Sequence, residues 1–308
     1  MLELRRTMKK SYFPEDGIWL KGNIHSHSTE SDGMFTPKEL AELYASHGYS
    51  FLSMTDHNVY VSHDDLSEEI ILLTGLEHDI EYSSDKCTHV VGIASINKEH
   101  TDYPCKKYSK EELDDQRLVD MMRADGQFVS LAHPVWSRME PEEILGLDRL
   151  HAIEVFNNGT EHLCHGGNAE IWWDMLLRHG KKVYATAVDD VHGAEDLFGG
   201  WIWVKVPCRN RRAIIDALFN GMFYATNGPE IYDFGIDGEQ VYVSCSGCRE
   251  IHFVTYSPRG KSFFAEEGES LTEAVHTMKG TEVYVRAVCV DHKGRSAWSN
   301  PIFFDERA

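Results

Sequence analysis

The chain lacks any run of about 18 consecutive apolar residues, so no segment reads as a membrane span. Its first ten residues, Met1 to Lys10, hold no apolar core of signal-peptide length, and its cysteines number 7, an odd count. Together these predict a cytoplasmic protein with reduced thiols. Cys245-Ser246-Gly247-Cys248 is an isolated C-x-x-C with no second pair, and reads as structural or incidental. Positive charge is scarce as well: 30 Lys and Arg stand against 50 Asp and Glu, a formal net charge of −20. Nucleic-acid affinity comes mostly from Lys and Arg on phosphates, which disfavours duplexes and long strands as partners. A small phosphorylated substrate stays open, because bound cations would invert the local field. Tandem repeats and low-complexity linkers are absent too.

What is present is a 308-residue chain of ordinary apolar content (42%), long enough for one large domain and a small one, with 17 histidines. The histidines fall in a pattern. Ile18-Trp19-Leu20 and Ile24 read as a strand that runs into His25-Ser26-His27, and residues i and i+2 of a strand share a face. His25 and His27 therefore project together, as two imidazoles sharing one ion must. Asp32 and Gly33 follow in a loop, and Thr36-Pro37-Lys38-Glu39 opens a helix with a capping residue, a proline at its first position and a capping box. Leu40, Leu43, Tyr44 and His47 share its face and Gly48 stops it, so His47 is a helix-face residue rather than a ligand.

The same arrangement recurs. Tyr49 to Met54 is a strand ending at Thr55-Asp56-His57, where Asp56 could orient a ligand or bind metal itself. Strand, helix and strand in so short a span predict a parallel β-α-β unit. The apolar run Ile70 to Leu76 ends in Glu77, a residue costly to bury without a cation; His78 faces the other way and takes a different role. The strand from Cys87 to Ile93 carries His89 near its start, and an antiparallel neighbour would bring that start beside the other carboxyl ends. Ser109-Lys110-Glu111-Glu112 is a second capping box, predicting a helix from there to Gly126. Phe128 to Ala132 is a strand ending in His133-Pro134, and Ile153 to Asn157 another, with Glu154 either a buried hydrogen-bonding group or a site residue. A helix over Ala169 to His179 precedes a strand ending in Asp190-Val191-His192, and Asn210 to Phe219 is helical. From about Pro229 short β segments follow at 231–236, 241–244, 251–256, 283–290 and 302–304, with one weak helical stretch. This predicts a small sandwich-like module.

Each histidine alone has the bland explanation of a satisfied core residue. A set closing five strand ends, with His89 at the start of a sixth strand, in one β/α-alternating region does not. The order of motifs resembles the PHP (polymerase and histidinol phosphatase) family of metallohydrolases, most closely its carbaryl-hydrolase-like branch. The matching pieces are His25-x-His27, Ser31-Asp32-Gly33, Thr55-Asp56-His57, Gly75-x-Glu77, His89, His133-Pro134, Glu154-Val155-x-Asn157 and Asp190-x-His192, over roughly residues 18–228. The resemblance implies an α/β fold, a distorted (β/α)7 barrel over residues 1–228, leaving 229–308 as the all-β module. It implies two or three divalent ions, Zn, Mn or Fe. His25, His27, Glu77 and Asp190 would hold one, Glu77 would bridge to a second on His89 and His133, and Asp32, His57 and His192 would hold a third. Some family members place a histidine where Asp32 stands, so a carboxylate there makes that third position harder.

The implied reaction is hydrolysis of a small phosphomonoester, such as a nucleotide or sugar phosphate, by a metal-activated hydroxide. Arg138, just after His133-Pro134, is a candidate phosphate clamp because a guanidinium pairs bidentately with phosphate. Arg209, Arg211 and Arg212 read as solvated. Two other functions compete. The same centre could cleave a carboxylic or carbamate ester, in which case no cationic group need reach the metals. A non-catalytic metal-binding scaffold is the third, and the complete ligand set argues against it.

Overall fold

The computed structural model describes residues 9–63, 65–83, 85–93 and 103–304. Its backbone is a large sheet ordered Trp201–Val206, Ile18–Asn23, Phe51–Met54, Ile71–Ser83, Lys86–Ile93, Phe128–Leu131, Ala152–Asn157, Tyr184–Val188. Ile18–Asn23, Phe51–Met54 and the start of Ile71–Ser83 run parallel, as the strand-helix-strand spacing predicts. Lys86–Ile93 is antiparallel to both its neighbours, which carries the start of that strand to the carboxyl ends of the others. The sheet then curls. Past Val188 the chain pairs with the segment beyond Asn23, through a Ser26–Val191 bridge and the Asp190 N–H to His25 carbonyl bond of 3.0 Å. The carboxyl ends of the strands thus gather around one space.

Helices cover the outside because their apolar stripes need the sheet. Pro37–Ser46 has the expected capping box at Thr36 and Glu39, and buries Leu40, Ala41 and Tyr44, while His47 is exposed at its end. Glu170–Arg178 buries Trp173, Leu176 and Leu177. Arg211–Phe219 is capped by the Asn210 side chain on Ala213 N–H. Gly48 and Gly180, at φ 77° and 80°, let the chain turn away from the first two.

One expected helix start moves. Ser109 and Glu112 do bond as a box would, Glu112 Oε2 accepting from Ser109 N–H at 3.1 Å, but they close a turn beside the short strand Tyr108–Ser109. The helix is Asp115–Ala124, capped by Asp114 on Arg117 N–H. The buried positions Leu118, Val119 and Met122 begin only there.

After Phe219 the described residues contain no helix. Leu271–Thr277 is a strand, as are Lys261–Phe264 and Ser296–Ser299. A second, four-stranded sheet pairs Lys10–Ser11, Ile231–Asp237, Gln240–Cys248 and Leu271–Thr277. It packs on a continuation of the large sheet formed by Phe223–Thr226, Ser296–Ser299, Tyr284–Val290, Glu250–Thr255 and Lys261–Phe264. The buried Arg286 guanidinium of this part donates to Glu170 Oε1 at 2.9 Å, and Trp298 Nε1 to Glu170 Oε2 at 2.8 Å, tying it to the helix Glu170–Arg178.

Candidate metal centre

The carboxyl ends bring together nearly every ligand-type residue singled out by the sequence. Glu77 stands at the middle. Its Oε1 lies 3.3 Å from His25 Nε2, 3.2 Å from His89 Nδ1 and 3.1 Å from His133 Nε2. Its Oε2 lies 3.2 Å from both His27 Nε2 and His57 Nδ1. Asp190 Oδ1 is 3.1 Å from the Nε2 atoms of His25 and His27. Three groups of donor atoms each converge on one point: His25, His27, Glu77 and Asp190; His57, Glu77, Asp79 and His89; and His27, Asp32, His57 and His192. The first group is wholly buried. The third opens outward, with the Asp32 side chain 58% exposed.

Strand geometry explains the convergence. His25 and His27 follow Ile18–Asn23, Glu77 and Asp79 lie two apart in Ile71–Ser83, and a parallel bridge sets His57 against Glu77. His133 and Asp190 adopt positive φ, 22° and 52°, a backbone cost that the surrounding structure enforces at the site.

His25, His27 and His57 each face a second partner. Glu154 Oε1 sits 2.6 Å from His25 Nδ1, while its Oε2 accepts from His133 N–H and Asn157 Nδ2, both at 2.9 Å. Glu154, left open by the sequence, is thus a positioning residue. Asp79 Oδ1 is 2.7 Å from His57 Nδ1. Asp56 accepts from Ser28 N–H, Ser31 N–H and both hydroxyls, so it orders the loop after His27 and reaches that ring only through Ser31 Oγ, 3.3 Å from His27 Nδ1. His78 points to the opposite face, 3.0 Å from Asn58 Oδ1, and burial pushes its pKa down to about 4. Asp79 is the site residue that the sequence reading missed. Its signal was the Glu77-x-Asp79 spacing, the same i, i+2 relation as His25-x-His27.

Burial alone would keep His25, His192 and Glu77 uncharged. Mutual charge outweighs it. Asp190, Glu77 and Glu154 hold His25 well above the usual imidazole range, and His25, His89 and His57 hold Glu77 well below the usual carboxylate range. His192 is raised to about 9, its hydrogen bond to Asp32 overcoming burial. Within the first group, Glu77 Oε2 and Asp190 Oδ1 accept no hydrogen bond although ring nitrogens stand 3.1–3.2 Å away. Buried carboxylate oxygens facing imidazole nitrogens without a shared proton suit a cation between them. The nitrogen and oxygen donor set fits a divalent metal.

Glu154→Gln keeps the side chain's shape and removes its charge. Metal affinity is expected to fall roughly 10–100-fold, as it does when such orienting partners are lost, with the fold intact. Competition against a chromophoric chelator, alongside circular dichroism, checks both.

Above the ligands lies a cavity of about 470 Å³ flanked by Met34, Trp136 and Leu163, with no Lys or Arg in its walls. An adjoining groove beyond His57 and His89 carries Lys86, Lys107 and Arg138. Lys86 pairs with Glu143 and Lys107 with Glu81, whereas the exposed Arg138, at φ 58°, has no ion pair among the described residues.

No protein-family model matches the chain. A two-domain protein from Bacteroides vulgatus, containing a predicted PHP-like metal-dependent phosphoesterase, superposes with a TM-score of 0.52 at 17% identity, covering 93% of this chain and 95% of that one. The fold is therefore a PHP-like mixed α/β fold with a large central sheet. In sequence, the DNA polymerase/3'-5' exonuclease PolX of Bacillus subtilis is 45% identical over 42 residues, 14% of this chain and 7% of that protein. A 5'-3' exoribonuclease of Haemophilus influenzae is 29% identical over 106 residues, 33% of this chain and 38% of its own length. The chain thus spans well under half the length of the curated relatives it matches.

Proposed function

We propose that the chain is a metal-dependent phosphoesterase acting on a small phosphorylated substrate, a nucleotide or sugar phosphate monoester. The observation that carries this is Glu77, a buried carboxylate within 3.3 Å of five imidazoles. In this reading residues 1–228 form a distorted (β/α)7 barrel of the carbaryl-hydrolase-like branch and 229–308 a sandwich-like module. His25, His27, Glu77 and Asp190 hold one ion. Glu77 also serves a second, with His89, His133 and, newly, Asp79. Asp32, His57 and His192 offer an outer position, and Zn, Mn or Fe would suit. Bound there, such ions supply an activated water nucleophile and Lewis-acid polarisation of the ester. The chain itself aims the imidazoles through Glu154, Asp79 and Ser31, and Arg138 holds a phosphoryl oxygen from the groove side.

The two curated relatives are named for work on nucleic acids. A net charge of −20 and an absence of Lys and Arg in the walls of the cavity above the ligands favour a short substrate here. The same cavity favours a second reading: walls of Met34, Trp136 and Leu163 without a cation also suit a carboxylic or carbamate ester.

Metal-loaded protein assayed on both ester classes decides between them. Phosphate release should dominate, and Arg138→Ala should lower kcat/KM on phosphomonoesters roughly 10–100-fold, the worth of a charged hydrogen bond. Unchanged activity would remove Arg138 from the site, and hydrolysis of carboxylic esters alone would replace the first reading by the second.

A further inference from the structure

All seven cysteines are free, and four of them, Cys87, Cys105, Cys164 and Cys208, are half-buried or exposed. The other three are buried together. Cys245 and Cys248 belong to Gln240–Cys248 in the four-stranded sheet, and Cys289 to Tyr284–Val290 in the facing one. Residues i and i+3 of a regular strand face opposite ways. Here the register with Leu271–Thr277 shifts between Ser244 and Cys248, and both cysteines are buried while Gly247 is exposed. The three share one apolar core with Phe234 and Phe253, and each thiol neighbours the other two. The two strands that carry them approach within 8 Å between Cα atoms, closer than the usual spacing of about 10 Å between packed sheets. A cysteine is often only a small apolar filler. Three in mutual contact, drawn from two facing sheets, are placed to bond.

We infer that Cys245, Cys248 and Cys289 form a redox-responsive staple, in which two-electron oxidation joins Cys289 to one thiol of the C-x-x-C pair across the two sheets. Hydrogen peroxide suffices as oxidant. One thiolate attacks a peroxide oxygen, giving a sulfenic acid and one water. A second thiol then displaces the sulfenic oxygen as another water, so the two sulfurs lose two hydrogen atoms and form one S–S bond. Hydrogen bonds from Cys245 and then Cys289 hold the Cys248 thiol below its ordinary range, so it is the first to give up a proton. The third thiol stays reduced beside the new bond and can exchange with it at no net electron cost. Burial makes the reaction slower than at the exposed cysteines, because peroxide enters only when the module opens locally.

The test uses the full chain, oxidised with hydrogen peroxide, alkylated under denaturing conditions and mapped by mass spectrometry. The peptide carrying Cys289 should be found linked to the one carrying Cys245 and Cys248. Closing a loop of about 40 residues should raise the unfolding midpoint by roughly 5 °C or more. Dithiothreitol should reverse both changes, and Cys289→Ala should abolish them. If that variant fails to fold, the map of the unmodified chain still decides. A link confined to Cys245 and Cys248, or all three thiols alkylated after the exposed ones have oxidised, would overturn the inference. So would a zinc ion held by the reduced trio and protecting it from peroxide.

Discussion

Replacing Glu77 by Gln is expected to lower the hydrolytic rate by a factor on the order of 10³, the loss typical when a preorganised charge leaves an active site. The variant should also retain fewer metal ions per chain. Both oxygens of Glu77 are engaged: one faces His25, His89 and His133, the other His27 and His57. A neutral amide gives up the negative charge on which both inner groups draw, and its NH2 cannot accept a cation. Asp190 faces His25, His27 and His133, and Asp79 faces His57 and His89, so neither spans all five rings as Glu77 does. Steady-state rates and elemental analysis of the purified variant measure the two effects. A variant with normal metal content and normal rate would show that Glu77 is a buried structural acid.

The second large effect is a pH-dependent stabilisation by metal. In the metal-free chain His25, His27 and His89 are raised above their ordinary value of 6.5, so their pairing stabilises fully below that pH and is lost as pH rises through the folded values. Glu77 and Asp190 are depressed below 4.5 and 3.8, so their contribution is present above those values and is lost as pH falls. The metal-free centre is therefore most stable between about 4.5 and 6.5. Metal requires the same ligands deprotonated, and its affinity grows with pH. At a thousandfold excess over Kd each ion stabilises by about 4 kcal/mol, roughly 10 °C in midpoint. That rise should be small at pH 5 and large at pH 8, and adding metal near pH 7 should release protons. Differential scanning calorimetry at the two pH values measures it, and an equal rise at both would contradict it.

Much of this centre was legible in the sequence because strand periodicity is local. His25-x-His27 needs only two residues on one face, and the position of His89 at a strand start required the antiparallel neighbour that Ile71–Ser83 provides. Asp79 escaped notice because the strand reading ended at Glu77, where the apolar run ends. The strand continues to Ser83, and Asp79 within it, of a type disfavoured in strands generally, is there for the site. The roles of Glu154 and Asp56 depended on which ring each could reach, a long-range matter that spacing does not encode. The helix starts after Asp114 rather than at the capping box read at Ser109, because the buried positions Leu118 and Val119 begin only there. Cys289 lies 41 positions beyond Cys248, and only the packing of one sheet on the other unites them.

The central claim is that a cluster of imidazoles and carboxylates around Glu77 exists to hold more than one cation. Anomalous diffraction from crystals of the full chain grown with manganese addresses it most directly. Two peaks flanking the Glu77 carboxylate, about 3.5–4 Å apart, are the expected result. Crystals saturated with manganese that show no peak within bonding distance of Glu77 would contradict it.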